Sequence, residues 1–149
     1  MIDKRKFYIN GTWVDPIVKN DLEVINPSNE QSYAVISLGS KKEVDLAVNA
    51  AKKALVTWSQ INKEEKINLL EKLLKIYKRR WNEITQTMSE EMGAPLDWSS
   101  SAQTSSGADH INDFIIRLKN FQFESKFNKD SDNYIVYEPI GVCGLITPW

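Results

Sequence analysis

Residues 33–58 read YAVISLGSKKEVDLAVNAAKKALVTW. Within this stretch the pattern changes from that of a strand to that of a helix, and this change decides the fold class of the chain. Residues 33–38 are rich in β-branched and apolar side chains and predict a strand, which Gly39 ends. Ser40 and Glu43 then have the spacing of a capping box, in which the two side chains satisfy free amides of a first helical turn. One apolar face follows at helical spacing: Val44, Ala47, Val48, Ala51, Leu55 and Trp58. A strand that leads into an amphipathic helix predicts an α/β protein.

Short strands are also predicted before this stretch. Residues 7–9 and 12–14 flank Asn10-Gly11, the dipeptide favoured in type I′ turns, and predict a β-hairpin. Residues 22–25 predict a further strand, which the turn-forming residues 26–29 close.

Helical periodicity dominates the middle of the chain. Asn62, with Glu65 three residues later, predicts a helix start, and the long apolar stripe behind it predicts a break near Arg80. Gly93 and Pro95 end that stripe. A third helical region, capped by Asp97, is predicted to turn one apolar face inward: Ile111, Phe114, Ile115 and Leu118.

Strand character returns towards residue 149. Residues 134–137 predict a strand by their β-branched and aromatic content. Residues 140–147 are continuously apolar, which suits a parallel strand covered on both faces. Cys143 is expected to be a buried structural thiol within that strand, because the sequence places no base near it to hold a thiolate.

Composition argues against two classes of partner. The 19 basic and 20 acidic residues give a net charge of −1, so no positive excess attracts nucleic acid. No stretch approaches the roughly 20 apolar residues that span a bilayer, and residues 1–10 lack the apolar core of a signal peptide. A single cysteine cannot form an intrachain disulfide. We therefore expect a cytoplasmic protein that binds neither nucleic acid nor membrane.

Residue patterns alone indicate no mechanism. Gly141 and Gly144 fall short of the dinucleotide-binding fingerprint. His110 and the adjacent Asp109 point about 100° apart on a helix and form no acid–base dyad, so His110 is expected to be a surface or packing residue. Glu90 and Glu91 end a helix, where the dipole disfavours carboxylates; we predict a solvated helix end, with a bound cation as the alternative. The tryptophans are predicted to be core anchors: Trp13, Trp58, Trp81, Trp98 and Trp149.

Taken together, these segments resemble the aldehyde dehydrogenase superfamily. Residues 7–14 (FYINGTWV) are similar to its opening hairpin, and residues 24–30 (VINPSNE) to its Asn-Pro turn. Residues 90–95 (EEMGAP) are similar to its acidic–Gly–Pro helix end. The most specific likeness is residues 138–149, EPIGVCGLITPW, which resembles the strand that leads into the cofactor site.

The resemblance implies a Rossmann-like cofactor-binding fold that lacks the standard glycine fingerprint. Residues 1–120 would be the N-terminal part of the NAD(P)-binding domain, and residues 121–139 part of a β-arm that joins subunits into homodimers or homotetramers. Residues 140–149 would be the first segment of the continuing NAD(P)-binding domain, which the chain truncates. The nicotinamide side of the NAD or NADP site would be lined by Ile146, Thr147, Pro148 and Trp149.

A structural monovalent cation is also implied. Family members often hold one through strand carbonyls and a helix-end acid, usually aspartate. The matching positions here are Val24, Ile25 and Glu91, whose side chain is one methylene longer.

The implied activity is oxidation of an aldehyde to a carboxylic acid. In the family a cysteine thiolate attacks the aldehyde carbon, an asparagine side chain stabilises the oxyanion, and a glutamate activates water. That asparagine directly follows the Pro-Trp matched by Pro148 and Trp149, and the other two residues lie further on. The chain is therefore expected to contain no catalytic residue. A CoA-acylating aldehyde dehydrogenase and a self-contained α+β interaction module without catalysis are the alternatives.

We predict that the gene continues with an asparagine codon directly after the codon of Trp149, since the oxyanion-stabilising residue belongs there. Sequencing the DNA downstream of codon 149 checks this. A genuine stop codon in an intact gene would contradict the interpretation of this product as an enzyme.

Overall fold

The computed structural model describes residues 1–147, and its mixture of strands and helices confirms the predicted α/β class. The strands are β1 (Ile2–Asp3), β2 (Phe7–Ile9), β3 (Thr12–Val14), β4 (Asp21–Asn26), β5 (Gln31–Ser37), β6 (Glu124–Lys126) and β7 (Tyr134–Val136). The helices are α1 (Lys41–Trp58), α2 (Lys63–Arg79), α3 (Trp81–Met92), α4 (Leu96–Trp98), a π-helix (Ser99–Thr104) and α5 (Ser105–Asn120). None of the helices in residues 1–147 has the length and apolarity required to cross a bilayer.

The strands form one small sheet and two hairpins. The sheet has the order β1-β5-β4, with β1 parallel and β4 antiparallel to β5, and its register shifts between Val24 and Ile25. The predicted hairpin of β2 and β3 is confirmed, and its turn residues Asn10 and Gly11 have φ values of 52° and 79°, as a type I′ turn requires. The second hairpin pairs β6 with β7.

The predicted capping box at the start of α1 is confirmed and has a second role. Glu43 accepts hydrogen bonds from the amide and hydroxyl of Ser40, and its Oε1 accepts one from the Ile17 amide at 2.6 Å. Because Ile17 belongs to the loop between β3 and β4, this carboxylate fastens the loop to the helix. The hydrogen bond from the Ser40 hydroxyl, and then that from Ile17, lower the pKa of Glu43 to about 2.

The predicted boundaries of α2 and α3 are confirmed. Asn62 caps α2 by accepting a hydrogen bond from the Glu65 amide at 2.8 Å. Arg80, with φ −94° and ψ 16°, separates the two helices as predicted. Gly93 ends α3 in the left-handed conformation, with φ 70°, that glycine adopts without strain.

The third helical region is present, but the prediction that Asp97 caps it is wrong. Pro95 occupies the N-cap position, and Asp97 lies inside the short helix α4. A proline with its fixed φ can precede a helix directly, so the helix starts earlier than the Asp97 signal suggested. The serine-rich stretch behind it remains helical but widens into a π-helix, where Ser101 donates to the Asp97 carbonyl at 2.7 Å.

The wide π-helical turn is held by hydroxyl groups of α2 and α3. Thr104 is fully buried, and its hydroxyl lies 2.9 Å from that of Thr85. Tyr77 donates to the Thr104 carbonyl at 3.1 Å. Gly107 allows this approach, since a Cβ there would lie 2.4 Å from the Tyr77 hydroxyl oxygen.

The best-buried apolar cluster lies between α2 and α5. Ile67, Ile115 and Leu118 form it, with Leu70, Leu74 and Ile111 packed around them. The predicted inward face of α5 is confirmed for Ile111, Ile115 and Leu118. It is wrong for Phe114, which is 57 % exposed.

Much apolar surface stays uncovered. The accessible surface is 11647 Å², whereas a compact monomer of this mass exposes about 7,800 Å². The prediction of core anchors is wrong for Trp13, Trp58 and Trp98, which are exposed. Trp81 is partly buried and donates to the Ser100 hydroxyl at 3.0 Å. Trp149 lies outside the described residues.

Replacement of Ile115 by alanine should lower the free energy of unfolding by about 2–5 kcal/mol, because it leaves a cavity in the cluster between α2 and α5. Urea denaturation of the chain, followed by helical circular dichroism, measures this. Ile116→Ala is the matched control, since Ile116 is 52 % exposed and should change stability by no more than about 0.5 kcal/mol. Equal losses in the two variants would show that the cluster is not packed as described.

Glu43→Gln should reduce stability at neutral pH and weaken the loss of stability in acid. The pKa of Glu43 is lowered from 4.5 to about 2, so its stabilising effect is complete above pH 4.5 and disappears as the pH falls through about 2. Denaturation curves from pH 7 to pH 2 measure the effect. Asp45→Asn, at an exposed position paired with Lys41, should keep the wild-type pH profile, and a Glu43→Gln profile identical to wild type would refute the assignment.

Candidate functional site

The segment proposed to enter the cofactor site, residues 140–147, does not form the predicted buried strand. It has no assigned secondary structure, and Ile140, Leu145 and Ile146 are 95 %, 88 % and 98 % exposed. A strand needs a neighbour to receive its backbone hydrogen bonds. Within residues 1–147 no other strand pairs with this segment, so its apolar side chains lie in solvent.

Cys143 shares this environment, and the prediction of a buried thiol is wrong. The side chain is exposed, and its Sγ lies 3.8 Å from the Gly141 carbonyl oxygen. Within residues 1–147 no group of three or more His, Cys, Asp or Glu side chains could hold a metal ion. His110 is exposed, the first of the two predicted environments. The described residues thus place no activated nucleophile next to a base.

The residues predicted to line the nicotinamide side of a cofactor are only partly described. Ile146 and Thr147 are exposed, and Pro148 and Trp149 lie outside the described residues. A dinucleotide site is a concave surface on which a few polar groups converge. The described residues do not form such a surface around Ile146 and Thr147, so the fit to NAD or NADP stays a prediction.

The two carboxylates at the end of α3 were predicted to be solvated, and this prediction is wrong for Glu90. Its Oε2 accepts a hydrogen bond from the Asn26 side-chain amide at 2.5 Å, and its Oε1 accepts one from Gln86 at 2.9 Å. The turn after β4 lies close by, because a Cβ on Gly93 would come within 2.8 Å of Pro27. The last turn of α3 is therefore fastened to the end of β4.

The three positions of the implied cation site lie near this contact. Val24 and Ile25 precede Asn26 in β4, on either side of the register shift. Glu91 is partly buried, and its carboxylate makes no hydrogen bond or ion pair within residues 1–147. Since Glu91 follows Glu90 in a helix, its side chain is rotated about 100° from the one that meets Asn26.

Asn26 is a residue whose role the sequence did not reveal. Its side-chain oxygen accepts a hydrogen bond from the Ser28 amide at 2.8 Å, the Asx-turn geometry that an asparagine two residues before a serine favours. That part of its role could have been found from the sequence. Its contact with Glu90, 64 residues away, had no local signal.

A broad apolar groove of about 740 Å³ lies between α2, α5 and the β6–β7 hairpin. Its walls include Trp58, Leu69, Leu73, Phe114, Phe123 and Tyr137. At the hairpin end, Phe121 contacts Phe123 and Tyr137 with ring centroids 4.9 and 5.1 Å apart. The side chains named as its walls suit apolar contact and not catalysis.

Comparison with known proteins identifies the family. The family model described as "Aldehyde dehydrogenase family" matches residues 13–149. A 3-succinoylsemialdehyde-pyridine dehydrogenase of Pseudomonas sp is 41 % identical over the whole chain, which covers 31 % of that protein. A putative aldehyde dehydrogenase of Staphylococcus aureus is 38 % identical over the whole chain, again 31 % of its length.

Solved structures agree. An aldehyde dehydrogenase from Bartonella henselae superimposes with a TM-score of 0.87 and 47 % identity, over 89 % of this chain and 28 % of that one. Aldehyde dehydrogenase C of Pseudomonas syringae, a mutant crystallised with NAD+ and octanal, has a TM-score of 0.81 and 30 % identity, over 83 % of this chain and 26 % of that one.

The fold is that of the N-terminal part of an aldehyde dehydrogenase. This chain belongs to the aldehyde dehydrogenase family, and the resemblance seen in the sequence is confirmed. It spans about a third of the length of its curated relatives (31 %).

Proposed function

We propose that this chain is the N-terminal part of an NAD(P)-dependent aldehyde dehydrogenase that oxidises an aldehyde to a carboxylic acid. The match of residues 13–149 to the family, in a chain 31 % as long as its relatives, carries the proposal. The solved P. syringae relative was crystallised with NAD+ and octanal. This supports NAD as the cofactor and an aldehyde as the substrate.

The uncovered surfaces are consistent with a larger protein. In a complete enzyme, later sequence would supply strands beside residues 140–147 and a layer over the groove between α2 and α5. Ile146, Thr147, Pro148 and Trp149 would then line the nicotinamide side of the cofactor site. A self-contained interaction module explains these surfaces less well, because monomeric domains rarely leave so much apolar area in water.

The contribution of this chain is scaffold and binding surface. The bound cofactor supplies the hydride acceptor, while the cysteine, glutamate and asparagine of the family chemistry are proposed to lie in later sequence. Cys143 is not the nucleophile, because a reactive thiolate needs a base or a helix N-terminus beside it. Among the described residues, the one hydrogen bond of its exposed side chain is to the Gly141 carbonyl.

The β6–β7 hairpin, within residues 121–139, is proposed to join subunits into a homodimer or homotetramer. Three residue pairs join its two strands, and no other strand within residues 1–147 pairs with either outer edge. Phe127, Tyr134 and Ile135 are 65 %, 52 % and 41 % exposed. Free strand edges with apolar side chains favour pairing with another chain. We also propose a cytoplasmic location, on the basis of the single, unpaired cysteine.

The complete product of the gene should oxidise aldehydes with NAD+, and the 149-residue chain alone should not, because it lacks the nucleophile. The measurement is the absorbance of NADH, with octanal and a semialdehyde that bears a pyridine ring as first substrates. Cys143→Ala should leave the rate of the complete enzyme unchanged. Turnover by the 149-residue chain that this substitution abolishes would overturn the proposal.

A further inference from the structure

The β6–β7 hairpin follows directly after α5, and two lysines of α2 contact the place where it begins. We propose that Lys63 and Lys66 are positioning residues: they fix the direction in which the hairpin leaves the helices, and so they set how strongly two copies of the chain associate. This role depends on the proposed function of the hairpin in joining subunits. It adds to that function the residues that orient the hairpin.

Beyond its base, the hairpin has no polar contact with the helices or the small sheet. Within residues 1–147, the hydrogen bonds of residues 124–136 stay inside the hairpin, as from the Phe127 amide to the Asn133 carbonyl. A two-stranded hairpin is only marginally stable by itself. Its direction is therefore decided at its base, which consists of residues 121–123 and Tyr137.

Lys63 holds the junction between α5 and the hairpin. Its Nζ donates to the carbonyls of Lys119 and Phe121, at 3.1 and 3.4 Å. The last carbonyls of a helix have no partner within it, and a cation there also offsets the negative end of the helix dipole. Lys63 is the first residue of α2, where the dipole of α2 disfavours a positive charge. Its charge therefore stabilises the end of α5 and not its own helix.

Lys66 holds the base of the hairpin itself. Its Nζ lies 5.5 Å from the centroid of the Phe123 ring, within the range of a cation–π interaction. Phe123 is joined to the second strand, because its carbonyl accepts from the Tyr137 amide at 2.8 Å. Phe121 packs edge-on against both rings, with centroids 4.9 and 5.1 Å away. Through Phe123, Lys66 is thus connected to both strands and to the end of α5.

The two lysines act from the same side of one helix. Residues three apart in a helix are neighbours on its surface. Lys63 and Lys66 are both half-buried, whereas Lys72 further along α2 is exposed. Because Lys63 contacts backbone carbonyls and Lys66 contacts a ring, the first turn of α2 holds the base of the hairpin at two points. A second point prevents the pivoting that a single contact would allow.

A fixed direction matters for association, since every copy must present its hairpin in the same way. Loss of one contact should lower the fraction of copies with a correctly directed hairpin about threefold, the size of an exposed cation–π or helix-end interaction. Only that fraction associates, and each dimer needs two such copies. The dissociation constant of the dimer should therefore rise about tenfold.

The experiment is sedimentation of the complete gene product over a range of concentrations, in enough urea to bring the wild-type equilibrium into the measured range. Lys63→Met and Lys66→Met remove the charge and keep a side chain of similar length. Each should raise the dissociation constant about tenfold. Lys66→Arg should stay within about threefold of the wild type, because a guanidinium also binds an aromatic face.

Two controls separate positioning from other effects of substitution. Lys72→Met removes a charge from the same helix at an exposed position that makes no hydrogen bond or ion pair within residues 1–147. Glu43→Gln lowers stability at a residue that contacts Ser40 and Ile17 and not the hairpin. Both variants should keep the wild-type dissociation constant.

Two results would overturn the proposal. One is a complete gene product that stays monomeric at every concentration. The other is folded lysine variants that dissociate like the wild type, or a control variant that dissociates as readily as they do. If Lys63→Met does not fold, the comparison of Lys66→Met with Lys66→Arg decides.

The readout does not use catalysis, so the two proposals can fail separately. A protein that associates as expected but oxidises no aldehyde would count against the proposed activity alone. An active enzyme whose lysine variants associate like the wild type would count against the positioning role alone.

Discussion

The apolar contact between α2 and α5 is the interaction on which the arrangement of the π-helix and α3 depends. Ile67, Ile115 and Leu118 bury their side chains there, while many other apolar residues remain in solvent. Because α5 is fixed against α2, the π-helix that precedes it is brought to Tyr77 and Thr85. The hydroxyl contacts at Thr104 then determine where α3 lies, and α3 in turn meets β4.

Carboxylates join the strands to this helical layer. Glu43 holds the loop before β4 to α1 through the Ile17 amide, and Glu90 holds the end of β4 to α3 through Asn26. Each is a charged acceptor matched to neutral donors, the kind of hydrogen bond that is strong because the acceptor is ionised. Of the apolar residues in the small sheet only Ala34 is buried among the described residues, so these polar contacts contribute to holding the sheet in place.

Two apolar surfaces of the described residues have no covering layer. Residues 140–147 have the composition of a buried parallel strand, but within residues 1–147 no strand lies beside them and no layer covers the groove next to α5. The chain belongs to the aldehyde dehydrogenase family and is 31 % as long as its curated relatives. These two facts support the proposal that further sequence of the complete protein covers both surfaces. A strand and its sheet are a cooperative unit, and one member alone does not keep the conformation that its sequence favours.

Local signals in the sequence determined most of the elements. The Asn10-Gly11 turn, the Ser40–Glu43 capping box, the helix start at Asn62 and the stop at Gly93 each depend on residues within one turn of the chain. Such interactions act over a few residues and can be recognised from spacing alone. The family likeness in residues 138–149 was also present in the sequence, and with it the expectation that the catalytic residues lie elsewhere.

Only the tertiary structure decided which groups meet over long separations. Helical periodicity placed Phe114 and Trp58 on inward faces, yet both are exposed because exposure depends on a covering layer that periodicity does not report. Residue patterns alone did not distinguish Glu90 from Glu91, and the family resemblance pointed to Glu91; only the packing of α3 against β4 showed that Glu90 is the partner of Asn26. A contact across 64 residues depends on the relative placement of two elements, which no local pattern encodes.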